Sequence, residues 1–229
     1  SWTWRRSPKC NARACTRFLV ARGIKALVVA CNTVSAVALD ALRVDFDLPV
    51  LGVIEPGARA AARASRTGRI GVLGTAGTID SQAYPRAIAA ADSRCETFAQ
   101  AAPLFVPLAE EGWIEGEVPI AIAERYLEPL VRACVDTLVL GCTHYPLLVT
   151  AIACALGRLG AQGDDVRIID SAETTAAALA ALLEERALGC DIGGSGGMDL
   201  FVTDRPRRFD DVAGRFWGSK VPAAQLVDL

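Results

Sequence analysis

Short, wholly apolar runs alternate along this chain with stretches whose apolar residues recur every three or four positions. The runs Ala26–Ala30, Pro49–Ile54, Ile70–Leu73, Thr137–Leu140 and Val166–Ile169 do not alternate apolar with polar. Strands that read this way are covered on both faces, as in parallel sheets. Between them, Val34, Val37, Ala38, Ala41 and Leu42 follow helical spacing. A second helix is predicted from near Pro119, with Ile122, Tyr126, Leu130 and Cys134 on one side and a kink at Pro129. A third is predicted from near Pro146, where proline suits the first turn. A fourth follows Ser171 as N-cap, with Glu173 favourable to the dipole. The pattern predicts an α/β fold with a mostly parallel sheet.

The two ends read differently. Ser1–Ala12 shows no periodicity, despite Trp2, Trp4, Arg5, Arg6 and Lys9. Asp191–Gly197 is a glycine-rich loop. Asp199–Thr203 alternates weakly, and Phe209, Val212, Phe216 and Trp217 suggest a short helix.

Composition narrows the function. With 52% hydrophobic and 22% charged residues, the 229-residue chain can build a full core. A net charge of −2 offers no basic field for nucleic acid. No run reaches the roughly 20 apolar residues a membrane helix needs, and no signal peptide is visible. Eight cysteines without a C-x-x-C pair read as free thiols in a reducing cytoplasm. The single histidine, His144, leaves no zinc ligand set, so no metal is expected.

One internal similarity carries chemistry. Val28–Thr33 and Val139–His144 each read as a buried strand, a cysteine, a small polar pair, then a helix. Two such units place Cys31 and Cys142 at the carboxyl ends of strands, where α/β sheets bind ligands. A helix N-terminus behind a cysteine favours thiolate. A thiolate on one face of a carbon and a thiol on the other can remove a proton and return one with inversion. Cys95, Cys134, Cys154 and Cys190 are expected to be small buried hydrophobes. His144 is a candidate to handle a proton beside Cys142, oriented by a carboxylate, for which Glu110 is a candidate and a solvated loop the alternative. Gly71–Thr78 resembles an anion loop but lacks nucleotide-binding spacing, so Thr75 and Thr78 would face a substrate carboxylate at most.

These motifs carry a family resemblance. Cys31-Asn32-Thr33-Val34-Ser35-Ala36 and Gly141-Cys142-Thr143-His144-Tyr145-Pro146-Leu147-Leu148 resemble the two signatures of glutamate racemases, within the aspartate/glutamate racemases. Segments 52–57, 74–79, 103–112, 169–173 and 201–206 resemble the family as well, so the likeness runs from about Ala14 to the C-terminus. It implies two α/β lobes with a cleft between them, residues 1–57 plus 169–229 and residues 58–168. It implies cofactor-independent racemisation of L- and D-glutamate in the bacterial cytoplasm, supplying peptidoglycan. Cys31 and Cys142 match the catalytic cysteines, Asn32, Thr33, Thr143 and His144 the glutamate-binding residues, and Glu110 the carboxylate behind the histidine. The partners implied are glutamate and a second copy in a homodimer, with no nucleic acid or membrane.

Similar enzymes also begin with a strand running into an Asp-Ser-Gly-Val-Gly-Gly-like motif and later carry a Pro-Tyr-Gly motif. Neither is present, so the first lobe is expected to be incomplete at its N-terminus. Two other readings therefore stay open: a catalytically inactive fragment that binds a ligand or partner, and a racemase for aspartate or another amino acid.

Overall fold

The computed structural model describes residues 7–161, 166–190, 196–217 and 221–229. Its first element is one the apolar pattern does not show. Ser7 is extended, its hydroxyl accepts from the backbone N–H of Cys10, and Pro8 sits in the first turn. Helix α1 therefore runs Pro8–Val20, and the expectation of an unstructured start fails from Pro8 onward. Only Thr16 is buried in it, so capping chemistry rather than an apolar stripe marks the helix. Trp2, Trp4, Arg5 and Arg6 lie outside the described residues.

Strands β1 (Leu27–Val29) and β2 (Val50–Gly52) pair in parallel, Leu27 opposite Val50 and Val29 opposite Gly52. Helix α2 (Asn32–Asp45) connects them and buries Asn32, Ser35, Ala38, Leu39 and Leu42. It packs hard on β2: a Cβ at Gly52 would lie 2.6 Å from Leu39 Cδ2. Leu27, Val29, Leu39, Leu42 and Val50 form the core of this unit.

The larger sheet has the order β4-β3-β5-β6, all parallel. Its strands are β3 (Arg69–Gly74), β4 (Glu96–Ala101), β5 (Thr137–Gly141) and β6 (Arg167–Asp170). Alternate residues serve opposite layers. Ile70, Val72 and Val139 face a layer built from α3 (Ile54–Ala64) and α5 (Ala83–Ala91). Leu73, Leu138 and Leu140 face α6 (Phe105–Glu111), α7 (Glu117–Arg132) and α8 (Val149–Arg158). This two-sided cover is why β3 is apolar after Arg69 and β5 after Thr137. The α/β class with parallel sheets is the fold observed.

Three details shift from expectation. The turn at Pro146 is a 3-10 turn, Tyr145–Leu148, and α8 begins only at Val149. Helix α9 (Ser171–Glu185) is capped by Asp170, whose side chain accepts from the N–H of Ala172 at 2.7 Å. Ser171 instead donates to Leu140 O from the first turn. Cys134 leaves the α7 face altogether, with a left-handed φ of 54°.

Near the C-terminus, β7 (Phe201–Val202) pairs in parallel with β8 (Gln225–Leu226), and α10 (Pro206–Trp217) lies between them. Residues 191–195 of the glycine-rich loop lie outside the described residues. Among the described residues no helix is long and apolar enough to cross a membrane.

Candidate functional site

The site begins where β1 runs out. Cys31 is extended, at the N-cap of α2, and its carbonyl accepts from the N–H of Ser35. It is exposed, at the rim of a mostly apolar cleft of about 600 Å³ bounded by α1, β1 and α2. Asn32 follows and is buried. Its Oδ1 accepts from the Tyr84 hydroxyl on α5 at 2.7 Å. Among the described residues its Nδ2 has no partner. A buried donor left unpaired costs roughly 1–3 kcal/mol, so this N–H pair is a candidate donor to a ligand.

Thr33 meets the segment after β3. Short helix α4 (Ala76–Asp80) is capped by Thr75, whose hydroxyl accepts from the N–H of Thr78. Thr33 Oγ1 lies 2.9 Å from Thr75 Oγ1 and 3.0 Å from Thr78 Oγ1, and those two are 3.1 Å apart. A Cβ at Gly77 would come within 3.2 Å of Thr33 Cγ2. Glycine there allows the two segments to approach.

The second cysteine follows β5. A Cβ at Gly141 would lie 2.7 Å from Leu73 O and 3.1 Å from Tyr84 Cε2, so only glycine passes between β3 and that ring. Cys142 is buried, and burial pushes its thiol up to about 11. Backbone N–H groups of His144 and Tyr145 pull the other way, and the charge of Cys31 adds to the rise. The expected lowering by a helix dipole is therefore not met at Cys142. Tyr145–Leu148 behind it is a four-residue 3-10 turn, too short to build the dipole of a full helix.

His144 links Cys142 to a carboxylate. Its Nδ1 is 3.9 Å from Cys142 Sγ and its Nε2 is 3.6 Å from Glu110 Oε1 on α6. Burial lowers the imidazole pKa, while Glu110 works to raise it. Thr143, between the two, is exposed. The structure thus groups Cys142, His144 and Glu110 on one side and Cys31, Asn32 and Thr33 on another, with Tyr84 between. Burial first, then the charges of Cys142 and Asp170, raise the Tyr84 pKa.

Two contributors escape a reading of the sequence. Tyr84 sits in the alanine-rich helix α5, where nothing marks its ring as different. Helix α10 is legible as a helix but not as a neighbour of His144, whose ring lies 6.1 Å from that of Phe216. The minor cysteines also correct expectation. Cys134, Cys154 and Cys190 are exposed and Cys95 half-buried, because Cys134 and Cys190 lie in the connections after α7 and α9, Cys95 lies in the turn before β4, and Cys154 is on the outer side of α8. Among the described residues no three His, Cys, Asp or Glu side chains converge as a metal site.

Known proteins resemble this chain in sequence and in fold. The model of the Asp/Glu/hydantoin racemase family matches residues 5–179, beginning earlier than the likeness read from the motifs. The chain is 50% identical over 212 residues to the glutamate racemase of Geobacter metallireducens, covering 93% of this chain and 76% of that protein. It superposes on glutamate racemase isoform RacE1 from Bacillus anthracis with a TM-score of 0.87 and 35% identity, over 100% of this chain and 84% of the other. With the Francisella tularensis glutamate racemase, solved in complex with D-glutamate, the TM-score is 0.86 at 29% identity, over 98% and 82% of the two chains.

Proposed function

The chain belongs to the Asp/Glu/hydantoin racemase family and is an amino-acid racemase, and on that premise we propose that it interconverts L- and D-glutamate with two thiols. The observation that carries the mechanism is the pair of cysteines at matching strand ends, one backed by the line from Cys142 through His144 to Glu110.

In one direction Cys31, as thiolate, takes the α-proton and the electron pair of the C–H bond stays on the α-carbon. Cys142, which holds its proton at neutral pH, gives that proton to the opposite face. The product has inverted configuration and the two cysteines have exchanged protonation states. In the reverse direction Cys142 is the acceptor, helped by the N–H groups of His144 and Tyr145 and by the imidazole. The step is redox-neutral and consumes nothing.

The carbanion needs fixed donors in a dry site. Asn32 Nδ2 and the hydroxyls of Thr33 and Thr143 suit the substrate carboxylates and amine. Glu110 orients His144. The substrate lies between one lobe of residues 1–57 plus 169–229 and another of residues 58–168. The physiological role is supply of D-glutamate for peptidoglycan in the bacterial cytoplasm.

The test is circular dichroism of purified protein given L-glutamate, then D-glutamate, without added cofactor. Decay of either signal toward zero is expected, with Cys31→Ser and Cys142→Ser each abolishing it. Near-normal turnover in both variants would remove the two-thiol mechanism. A flat signal from folded protein that still binds glutamate would favour a ligand-binding role without turnover. Decay of an aspartate signal instead would move the substrate assignment.

A further inference from the structure

Helix α6 ends at Glu111, and Gly112 closes it in the left-handed region at φ 77°. A helix end leaves carbonyls without intrahelical donors. Here Ala109 O accepts from the N–H of Gly112, and Arg215 Nη1, from α10, donates to it as well at 3.2 Å and also to Glu110 O. The fit is close: a Cβ at Gly112 would stand 3.2 Å from the guanidinium Cζ, Nε and Nη2. A cation at a helix C-terminus also complements its dipole. Arg215 therefore fixes the backbone of the residue whose carboxylate lies 3.6 Å from His144 Nε2.

The next residue of α10 touches the other member of the pair. The Phe216 ring stands edge-on to the imidazole, centroids 6.1 Å apart and planes at 72°. That spacing lies within the range of favourable aromatic pairs. One end of one helix thus meets both Glu110 and His144. Among the described residues, the titratable groups on the ring itself are Cys142, from its own segment, and Glu110, from α6, with Arg215 behind Glu110.

We propose that α10 is a positioning element for the site: Arg215 holds Glu110 in reach of His144, and Phe216 covers the open edge of the imidazole. The proposal rests on the reading of His144 as a proton-handling group. At 3.6 Å the carboxylate–imidazole contact is longer than a good hydrogen bond. A small displacement of the α6 terminus is therefore enough to make or lose it.

His144 is the single histidine of the chain, so one imidazole signal in a nitrogen-15 NMR titration reports on it without assignment. Its wild-type midpoint is expected below the ordinary histidine value. Phe216→Ala admits solvent and should raise the midpoint by about 0.5 unit or more. Arg215→Ala should lower it, because the raising influence of Glu110 is loosened. Loss of a nearby cation alone would raise it, so the sign separates positioning from direct charge. In a Glu110→Gln background Arg215→Ala should produce no further fall.

In a racemising protein, Arg215→Ala should cut kcat roughly 10- to 100-fold with little change in KM. If Arg215→Ala does not fold, Arg215→Lys keeps the charge, loses the planar fork and should show the same fall in smaller measure. A rise in the midpoint for Arg215→Ala, or an unmoved midpoint for Phe216→Ala, would overturn the proposal. The titration reads it whether or not the protein turns over glutamate, so absence of racemisation with the expected shifts would count against the function alone.

Discussion

Tyr84 reaches from α5 to α2 and donates its phenolic hydrogen to Asn32 Oδ1 at 2.7 Å, inside the core. The bond ties the helix behind Cys31 to the layer that covers the larger sheet, and it fixes which end of the Asn32 amide is left to donate. Tyr84→Phe leaves the oxygen unpaired, at a cost of roughly 1–3 kcal/mol. A lower urea midpoint and a raised KM for glutamate are expected together. An unchanged KM would mean that the Asn32 amide does not depend on Tyr84 for its orientation.

The buried Cys142 thiol makes stability fall at high pH. Its folded pKa is raised from 9.0 to about 11, so the folded protein keeps a proton that the unfolded chain gives up. The stabilising contribution is complete below pH 9 and disappears as pH rises toward 11. Its size is about 2–3 kcal/mol. Urea denaturation across that window should show the loss in the wild type and a shallower one in Cys142→Ala. Parallel curves would show that the thiol finds water when the protein is folded.

Asp136 acts in the opposite window. It opens the turn into β5, accepting from the Ser65 and Thr67 hydroxyls and from the N–H groups of Arg66 and Thr67. Burial works to raise its pKa, but these bonds hold it at about 2 against an ordinary 3.8. Its contribution is present above pH 4 and is lost as pH falls toward 2. Asp136→Asn should therefore cost about 2 kcal/mol at neutral pH and flatten the acid limb of the stability curve. A variant that matches the wild type at pH 7 would contradict the arrangement.

Gly141→Ala puts a methyl group 2.7 Å from the backbone oxygen of Leu73. A carbonyl in the middle of a sheet cannot step aside as a flexible side chain can. The expected outcome is a loss of about 1–3 kcal/mol with a large fall in racemisation, because Cys142 is the next residue. Thermal denaturation beside the glutamate assay checks both. Full activity would show that β3 and β5 can separate locally.

How far the sequence speaks depends on where each residue finds its partners. Strands β1, β2, β3 and β5 are legible because burial leaves them almost wholly apolar, and β6, at the other sheet edge, because Ile168 and Ile169 still mark it. Strand β4 is not: it is an edge strand, half exposed, and its Glu96-Thr97-Phe98 start mixes charge with apolar residues. Helix α1 escapes for a related reason, since it buries little and is announced only by Ser7 and Pro8. At the site, Cys31, Cys142 and His144 stand in strand-end motifs and can be picked out. Glu110 can be narrowed to a choice between a solvated loop and an orienting carboxylate. The roles of Tyr84, Arg215 and Phe216 arise from contacts between elements far apart in the chain, and no local pattern encodes those.

The trio of Thr33, Thr75 and Thr78 has an arithmetic of its own. Three hydroxyls own three protons, and at 2.9–3.1 Å each can give its proton to the next and receive one in return. Such a circuit is complete in itself and runs equally well clockwise or anticlockwise. An incoming carboxylate must capture a proton already engaged, and turning one hydroxyl outward leaves its neighbour short of a donor. A lone, weak acceptor gains little from that exchange. On the proposed function, each substrate oxygen that takes a proton from the ring replaces one bond of the circuit, so only a strong, charged acceptor gains from the exchange.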